Sequence, residues 1–424
     1  MKLSAVLLVA CLHLAAAAPN PILRATANGT QVLSATANGT RYSREELRFP
    51  SGDAASGRIE LRGELLLPVD ANCALSSPLG CPTAVLLHGA GGYDRWEDIA
   101  EEPYPHSLAS PQLHPLCGER VLRNASVFRD LASVFLDSGY AVLVYDKRSC
   151  VESDEPVCTY KACERDGEKD CVIVPRLRYD DYVKDAVASL SHAVTLQKVR
   201  SDRLLIVGHG QGATIAPIAA MEFTTSPPLY CSGGVTCKVD RTLLLMAYLT
   251  PVQELMQRQI GTRLKVCEGF ASQCGFSPEE LALRLECELA SPLLVRAIEE
   301  VKRDFPRMGA IVAEEGADTE KCYDGMCRPA GFWLQWIERT DVQAKEQALK
   351  TLDRLGSEIL GINSATDREV SPPDYEPLAQ LLRLLERADH RDLRQPTLTH
   401  NLAPSDLSSA RLSAEVFYVI SSWL

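Results

Sequence analysis

The chain has 424 residues, 46% of them apolar, enough to bury a full core, and this size suits one large α/β domain carrying an insertion. Asp and Glu outnumber Lys and Arg by 56 to 44, and the net charge of -12 argues against nucleic acid or an anionic membrane as partner, since both need a basic surface.

Residues 1–18 carry Lys2 near the start, an apolar run from Ala5 to Leu14 and alanines before Pro19. That layout predicts a cleaved secretory signal and a secreted, extracellular protein. No later run approaches a membrane span; the apolar end, Ala414 to Leu424, is short and contains Glu415, so stable membrane insertion is not expected. The sequons at Asn28, Asn38 and Asn124 are usable glycosylation acceptors on a eukaryotic secretory route. Of the 15 cysteines, Cys11 leaves with the signal, and the even set that remains predicts disulfides, with Cys73–Cys81, Cys231–Cys237 and Cys322–Cys327 the natural near-neighbour pairs. A zinc site at Cys158, Cys163 and Cys171 is the rival reading, but no C-x-x-C pair or nearby histidine supports it.

Residues 19–45 contain Ala-Thr-Ala-Asn-Gly-Thr twice without hydrophobic periodicity and read as a glycosylatable linker. Alternation from Arg58 to Leu67 predicts a strand. The apolar strand Thr83 to Leu87 then ends in His88-Gly89-Ala90-Gly91-Gly92-Tyr93-Asp94-Arg95. His88 reads as a loop-bracing residue. A helix over Ser126 to Asp137, a strand over Tyr140 to Tyr145 closing on Asp146-Lys147-Arg148, and a helix over Tyr179 to Thr195 follow. This alternation points to a mostly parallel central sheet flanked by helices.

The next stretch is the most informative. The apolar run Leu204 to Val207 leads into Gly208-His209-Gly210-Gln211-Gly212 and a small-residue helix, Ala213 to Ala220. Neither G-x-x-x-x-G-K-[ST] nor G-x-G-x-x-G is matched, so neither phosphate-loop reading applies, and no cofactor is implied. Two readings remain open for the octet alone: a close-packed structural turn, or the strand-turn-helix elbow that reads G-x-S-x-G and thrusts a serine into a catalytic site. Gly210 stands where that serine would be.

Together, Leu61-Arg62-Gly63-Glu64-Leu65, the His88 to Arg95 run, Tyr145-Asp146-Lys147-Arg148 and the glycine elbow resemble the serine-aminopeptidase-like or dienelactone-hydrolase-like branch of the α/β-hydrolase superfamily. The resemblance implies an α/β-hydrolase fold with a helical cap insertion, the core at 46–249 and 352–424 and the cap at 250–351. Helical periodicity at Pro251 to Ile260, Pro278 to Glu288, Leu293 to Phe305 and Phe332 to Arg339 fits that cap, and equally an ordinary second helical domain. It implies Ala90 and Gln211 as oxyanion-hole donors, Asp367, just after the strand Ile359 to Asn363, as the triad carboxylate, and His400 as the base. On residue chemistry alone Asp367 is equally a turn cap. His390, in Asp389-His390-Arg391-Asp392, competes with His400, but that run reads as a solvated helix end.

The elbow lacks its nucleophile. Losing a triad nucleophile costs roughly a million-fold in kcat. Thr214 is expected to point into packing, and Ser149 and Cys150 sit at a different strand end. Two functions remain: a secreted pseudoenzyme binding a small acyl compound or a peptide or protein ligand, or an active hydrolase of ester, thioester or peptide bonds using a His400-activated water or another nucleophile.

Overall fold

The computed structural model describes residues 33–36, 38–52, 59–69, 80–90, 95–97, 127–148, 177–232, 236–271, 278–323, 326–365, 367, 370–393 and 412–424. The signal expected at residues 1–18, Asn28, Asn124, Cys150, the cysteines at 158, 163 and 171, and His400 lie outside them.

In chain order the strands and helices are β1 (Leu33–Ala35), β2 (Arg41–Ser51), β3 (Ile59–Pro68), β4 (Cys81–Leu87), α1 (Val127–Asp137), β5 (Ala141–Tyr145), α2 (Tyr179–Ala193), β6 (Val199–His209), α3 (Gln211–Thr225), β7 (Val239–Leu245), α4 (Val252–Ala271), α5 (Pro278–Asp304), α6 (Met308–Glu315), β8 (Glu320–Tyr323), β9 (Met326–Pro329), α7 (Ala330–Arg339), α8 (Val342–Arg354), β10 (Glu358–Ser364), α9 (Pro372–Leu384), β11 (Ala388–Leu393) and α10 (Ala414–Trp423).

Nine strands form one sheet in the order β1-β2-β3-β5-β4-β6-β7-β10-β11. From β5 to β11 neighbours run parallel, while β1, β2 and β3 add an antiparallel edge. The central strands read as unbroken apolar runs because both faces are covered. Val85 and Leu87 of β4 and Leu204 and Ile206 of β6 point into one core, with α2, α3 and α8; Ala84, Leu86, Leu205 and Val207 point into the other, with α1 and α10.

The sheet is wider than the sequence reading allowed. The linker predicted to end at residue 45 contains β1 and the start of β2, and the turn of its second repeat is pinned to α1: Thr36 Oγ1 and Asn38 Nδ2 each donate to Asp137 at 2.6 Å. Residues 389–392 are likewise strand β11, paired in parallel with β10, and not a helix end. β1 and β11 are the sheet's two edges, β1 only three residues long and β11 mostly polar, so neither carries an apolar run to betray it. Of the expected near-neighbour disulfides, Cys231–Cys237 is formed, Cys81 and Cys322 are each disulfide-bonded, and Cys322 faces Cys327 across the β8–β9 hairpin.

Between β7 and β10 the chain runs through α4 to α8 and the hairpin. The two helices expected at 278–305 are one, α5, which continues through Pro292; a single proline forgoes one backbone bond without ending a helix that its neighbours favour. The expected boundary at 351 falls inside α8, which packs on α3. An aromatic cluster joins this insertion to the core: Trp336 and Phe332 of α7 meet Tyr179 of α2, and Trp333 meets Tyr323 of the hairpin and Phe305.

The close contact of β4, β6 and α3 depends on two glycines. A Cβ on Gly208 would collide with the carbonyl of Gly212, and one on Gly212 with the carbonyl of Leu87. Gly212→Ala is therefore expected to destabilise the protein by about 3 kcal/mol or more. Gly261→Ala, in α4 with open space around it, is expected to be neutral or stabilising by up to about 1 kcal/mol. Chemical denaturation of the two variants checks the contrast.

Candidate active site

Strand β6 ends at His209, α3 starts at Gln211, and Gly210 alone makes the turn, with φ 52° and ψ -113°. That left-handed backbone is costly for any residue with a side chain. Gly210 N–H donates to Leu245 O at 3.0 Å at the end of β7, and Met246 N–H donates to Ile362 O at 2.8 Å in β10. The elbow is thus tied in register to the two strand ends beside it.

The turn after β4 closes on the elbow from the other side, since Leu87 pairs with Gly208. The Gly89 N–H is taken by Glu97 Oε1 at 2.6 Å, and Ala90, the residue expected to donate to a substrate oxygen, is exposed. The other Glu97 oxygen lies 3.0 Å from His209 Nδ1, with both side chains 3% exposed. Glu97 therefore clamps the β4 turn to the elbow. Burial alone would raise its pKa, but the imidazoles of His209 and His88 and the Gly89 N–H together hold it below its usual 4.5.

Lys147, just past β5, completes the junction. Its Nζ donates to Gly89 O at 2.6 Å and to Gln211 Oε1 at 3.0 Å, and lies over the Tyr182 ring. Burial, and repulsion from Arg328 on β9, bring its pKa down to about 7. Behind it, Arg148 makes two hydrogen bonds to Asp185, at 2.7 and 3.1 Å. Above, Arg95 binds Asp146 through its backbone and guanidinium and reaches Glu64. Arg95 after the β4 turn and Asp146 after β5 are thereby ion-paired.

A turned loop on a glycine elbow, a glycine-rich turn beside it and six parallel strands with helices on both faces decide the architecture. The fold is that of the α/β-hydrolases. No protein-family model and no curated protein matches the sequence. Among solved structures, an esterase of Pyrococcus furiosus aligns with a TM-score of 0.45 and 11% identity, covering 90% of each chain. A hypothetical protein of Pseudomonas aeruginosa aligns at 0.47 and 13%, covering 95% of this chain and 98% of that one. A carboxyl esterase of the fungus Tuber melanosporum gives 0.41 and 14%, covering 90% and 84%.

Within this α/β-hydrolase frame, Gly210, Gln211 and Ala90 follow the ends of the neighbouring strands β6 and β4. Asp367 lies at the same end, buried just past β10, its N–H on Ser364 O at 3.1 Å. His400 lies outside the described residues, so the structure does not test its pairing with Asp367. His390 is on β11, its Nε2 3.1 Å from Asn363 Oδ1 and its ring stacked on Tyr375. Thr214 is committed to Tyr179 OH at 2.7 Å and Gln211 O at 2.8 Å, in the packing where it was expected. Glu97, His209 and Lys147 were not singled out from the sequence as site residues. His209 and Lys147 stand inside noted motifs, whereas nothing near Glu97 marks it, because its imidazole partner is 112 residues away.

A carboxylate with a lowered folded-state pKa stabilises the fold above its unfolded value, and that contribution is lost as pH falls through the folded value. Glu97→Gln is therefore expected to cost about 2–3 kcal/mol near pH 7, and less as the pH falls below the usual carboxylate range. Urea midpoints of both proteins between pH 3 and 7 check this.

Proposed function

We propose that the protein is a secreted pseudoenzyme of serine-hydrolase ancestry, which uses the α/β-hydrolase site to bind a ligand without forming an acyl-enzyme. One observation carries the reading: Gly210 holds the sharp φ 52°, ψ -113° turn that would present a nucleophile, and offers no side chain there. An acyl transfer needs an attacking atom at that point, with a base to take its proton.

The surrounding machinery supports a binding site. The outer elbow glycines, the braced β4 turn and Asp367 at the end of β10 keep the shape in which an acyl group or peptide carbonyl would sit. Thr214, the nearest described hydroxyl in sequence, faces Tyr179 and is engaged with the backbone of its own helix. The secretion part of the proposal is supported by residues 1–18, whose layout resembles a cleaved signal.

Hydrolysis of short-chain aryl esters and aminoacyl arylamides by the secreted protein and its Gly210→Ser variant tests the proposal. The native protein is expected to be silent and the variant to gain esterase activity, at a stability cost of about 1–3 kcal/mol for a side chain in this backbone. Turnover by the native protein that His400→Ala abolishes would overturn the reading in favour of a water nucleophile.

A further inference from the structure

The turn between β1 and β2 reads Asn38-Gly39-Thr40, the acceptor pattern for N-linked sugars. Of the three such sites in the chain, it is the one that falls among the described residues. Asn38 and Gly39 are exposed, and a Cβ built on Gly39 would meet nothing within 4 Å. Gly39, at φ 88°, supplies the left-handed step of the turn. Its N–H donates to Thr36 O at 3.0 Å, and the Thr40 N–H donates to Thr36 Oγ1 at 3.1 Å. A large group on Asn38 therefore has room beside a backbone that is already fixed.

The carboxamide of Asn38 also latches this turn to α1. An amide nitrogen carries two hydrogens, and among the described residues Nδ2 gives one of them, to Asp137 Oδ2 at 2.6 Å. Asp137 is the last residue of α1, where the helix dipole disfavours a negative charge, and the last turn of α1 contains no basic residue. Its two oxygens are met instead by the Asn38 amide and by Thr36 Oγ1. The second Asn38 hydrogen is the one that a sugar would replace.

We propose that Asn38 carries an N-linked oligosaccharide and that the sugar and the latch to Asp137 coexist on the one nitrogen. The transfer forms a bond from Nδ2 to the anomeric carbon of the oligosaccharide and breaks the bond from that carbon to a lipid diphosphate. One Nδ2 proton leaves, and the remaining N–H stays on Asp137. A lipid-diphosphate sugar is met on a eukaryotic secretory route, so the proposal rests on the secretion read from residues 1–18 and not on the state of the elbow. The sheet fixes where the sugar stands. Helix α1 ends at Asp137 and β5 begins at Ala141, so Asn38 is at the end where the parallel strands start, whereas the elbow follows the end of β6. The sugar is thus at the β1 edge, and the candidate site stays open.

The full chain, expressed with its own residues 1–18 in cultured mammalian cells, tests this. Digestion with peptide N-glycosidase in heavy-oxygen water turns each formerly glycosylated asparagine into a labelled aspartate, which peptide mass spectrometry locates. Label at residue 38 in most of the exported protein is expected. Exported protein without that label would overturn the glycan alone, whereas unlabelled protein kept inside the cell with residues 1–18 intact would overturn secretion with it. Two variants test the latch. Thr40→Val removes the acceptor pattern and keeps the amide; Asn38→Asp removes both and sets a second carboxylate against Asp137. Both are expected to lose the sugar, with Thr40→Val keeping a urea midpoint close to that of the native protein trimmed to one sugar, and Asn38→Asp unfolding at lower urea. Equal midpoints for the two variants would overturn the latch.

Discussion

Backbone meets backbone at the elbow, and everything at this end of the sheet follows from that distance. Gly208 and Gly212 let β6 and α3 fold onto one another against the Leu87 carbonyl, where a Cβ on either would collide with main chain. With so little room, the residue between them has to turn at positive φ, and Gly210 does so. The N-terminus of a 15-residue helix is thereby aimed at the ends of β4, β6 and β7. The same constraint serves a nucleophile in a working hydrolase; here it serves an empty position.

Polar struts then fix the segments around that position. Glu97 joins the β4 turn to His209, Lys147 joins the same turn to Gln211, and Arg95 joins it to Asp146. These groups are largely buried, so each interaction is stronger than on a surface, and each partner would be costly to leave alone. A second buried lysine, Lys345 of α8, plays a comparable part farther along: its Nζ reaches the carbonyls of Tyr248 and Thr250 where the chain leaves β7 for the insertion, and burial lowers its pKa to about 7. Tyr179 connects the two regions, stacking on Trp336 of α7 while bonding Thr214 of the elbow helix. A shift of the insertion would therefore be felt at α3.

The central sheet was legible because its strands are apolar on both faces and end in glycine-rich turns, a pattern that burial imposes on composition. The elbow was legible for the same steric reason. The edges were not: β11 reads Ala-Asp-His-Arg-Asp-Leu, with alternating half-buried and exposed residues before Leu393, and no hydrophobic run separates it from a solvated helix end. The hairpin β8–β9, four residues to a strand, is too short to show a period. The site divides likewise. Gly210, Gln211, Ala90 and Asp367 were expected from the resemblance of the surrounding motifs, whereas the part played by Glu97 depends on contacts made across 112 residues, which exist only once the chain has folded.

The central claim is that this elbow keeps its geometry without a nucleophile. A fluorophosphonate probe, which forms a bond only with an activated hydroxyl or thiol, tests it most directly, with the adduct located by peptide mass spectrometry. The account predicts no adduct on the native protein and a single adduct on residue 210 of the Gly210→Ser variant. An adduct on any residue of the native protein, or a folded variant left unlabelled, would contradict it.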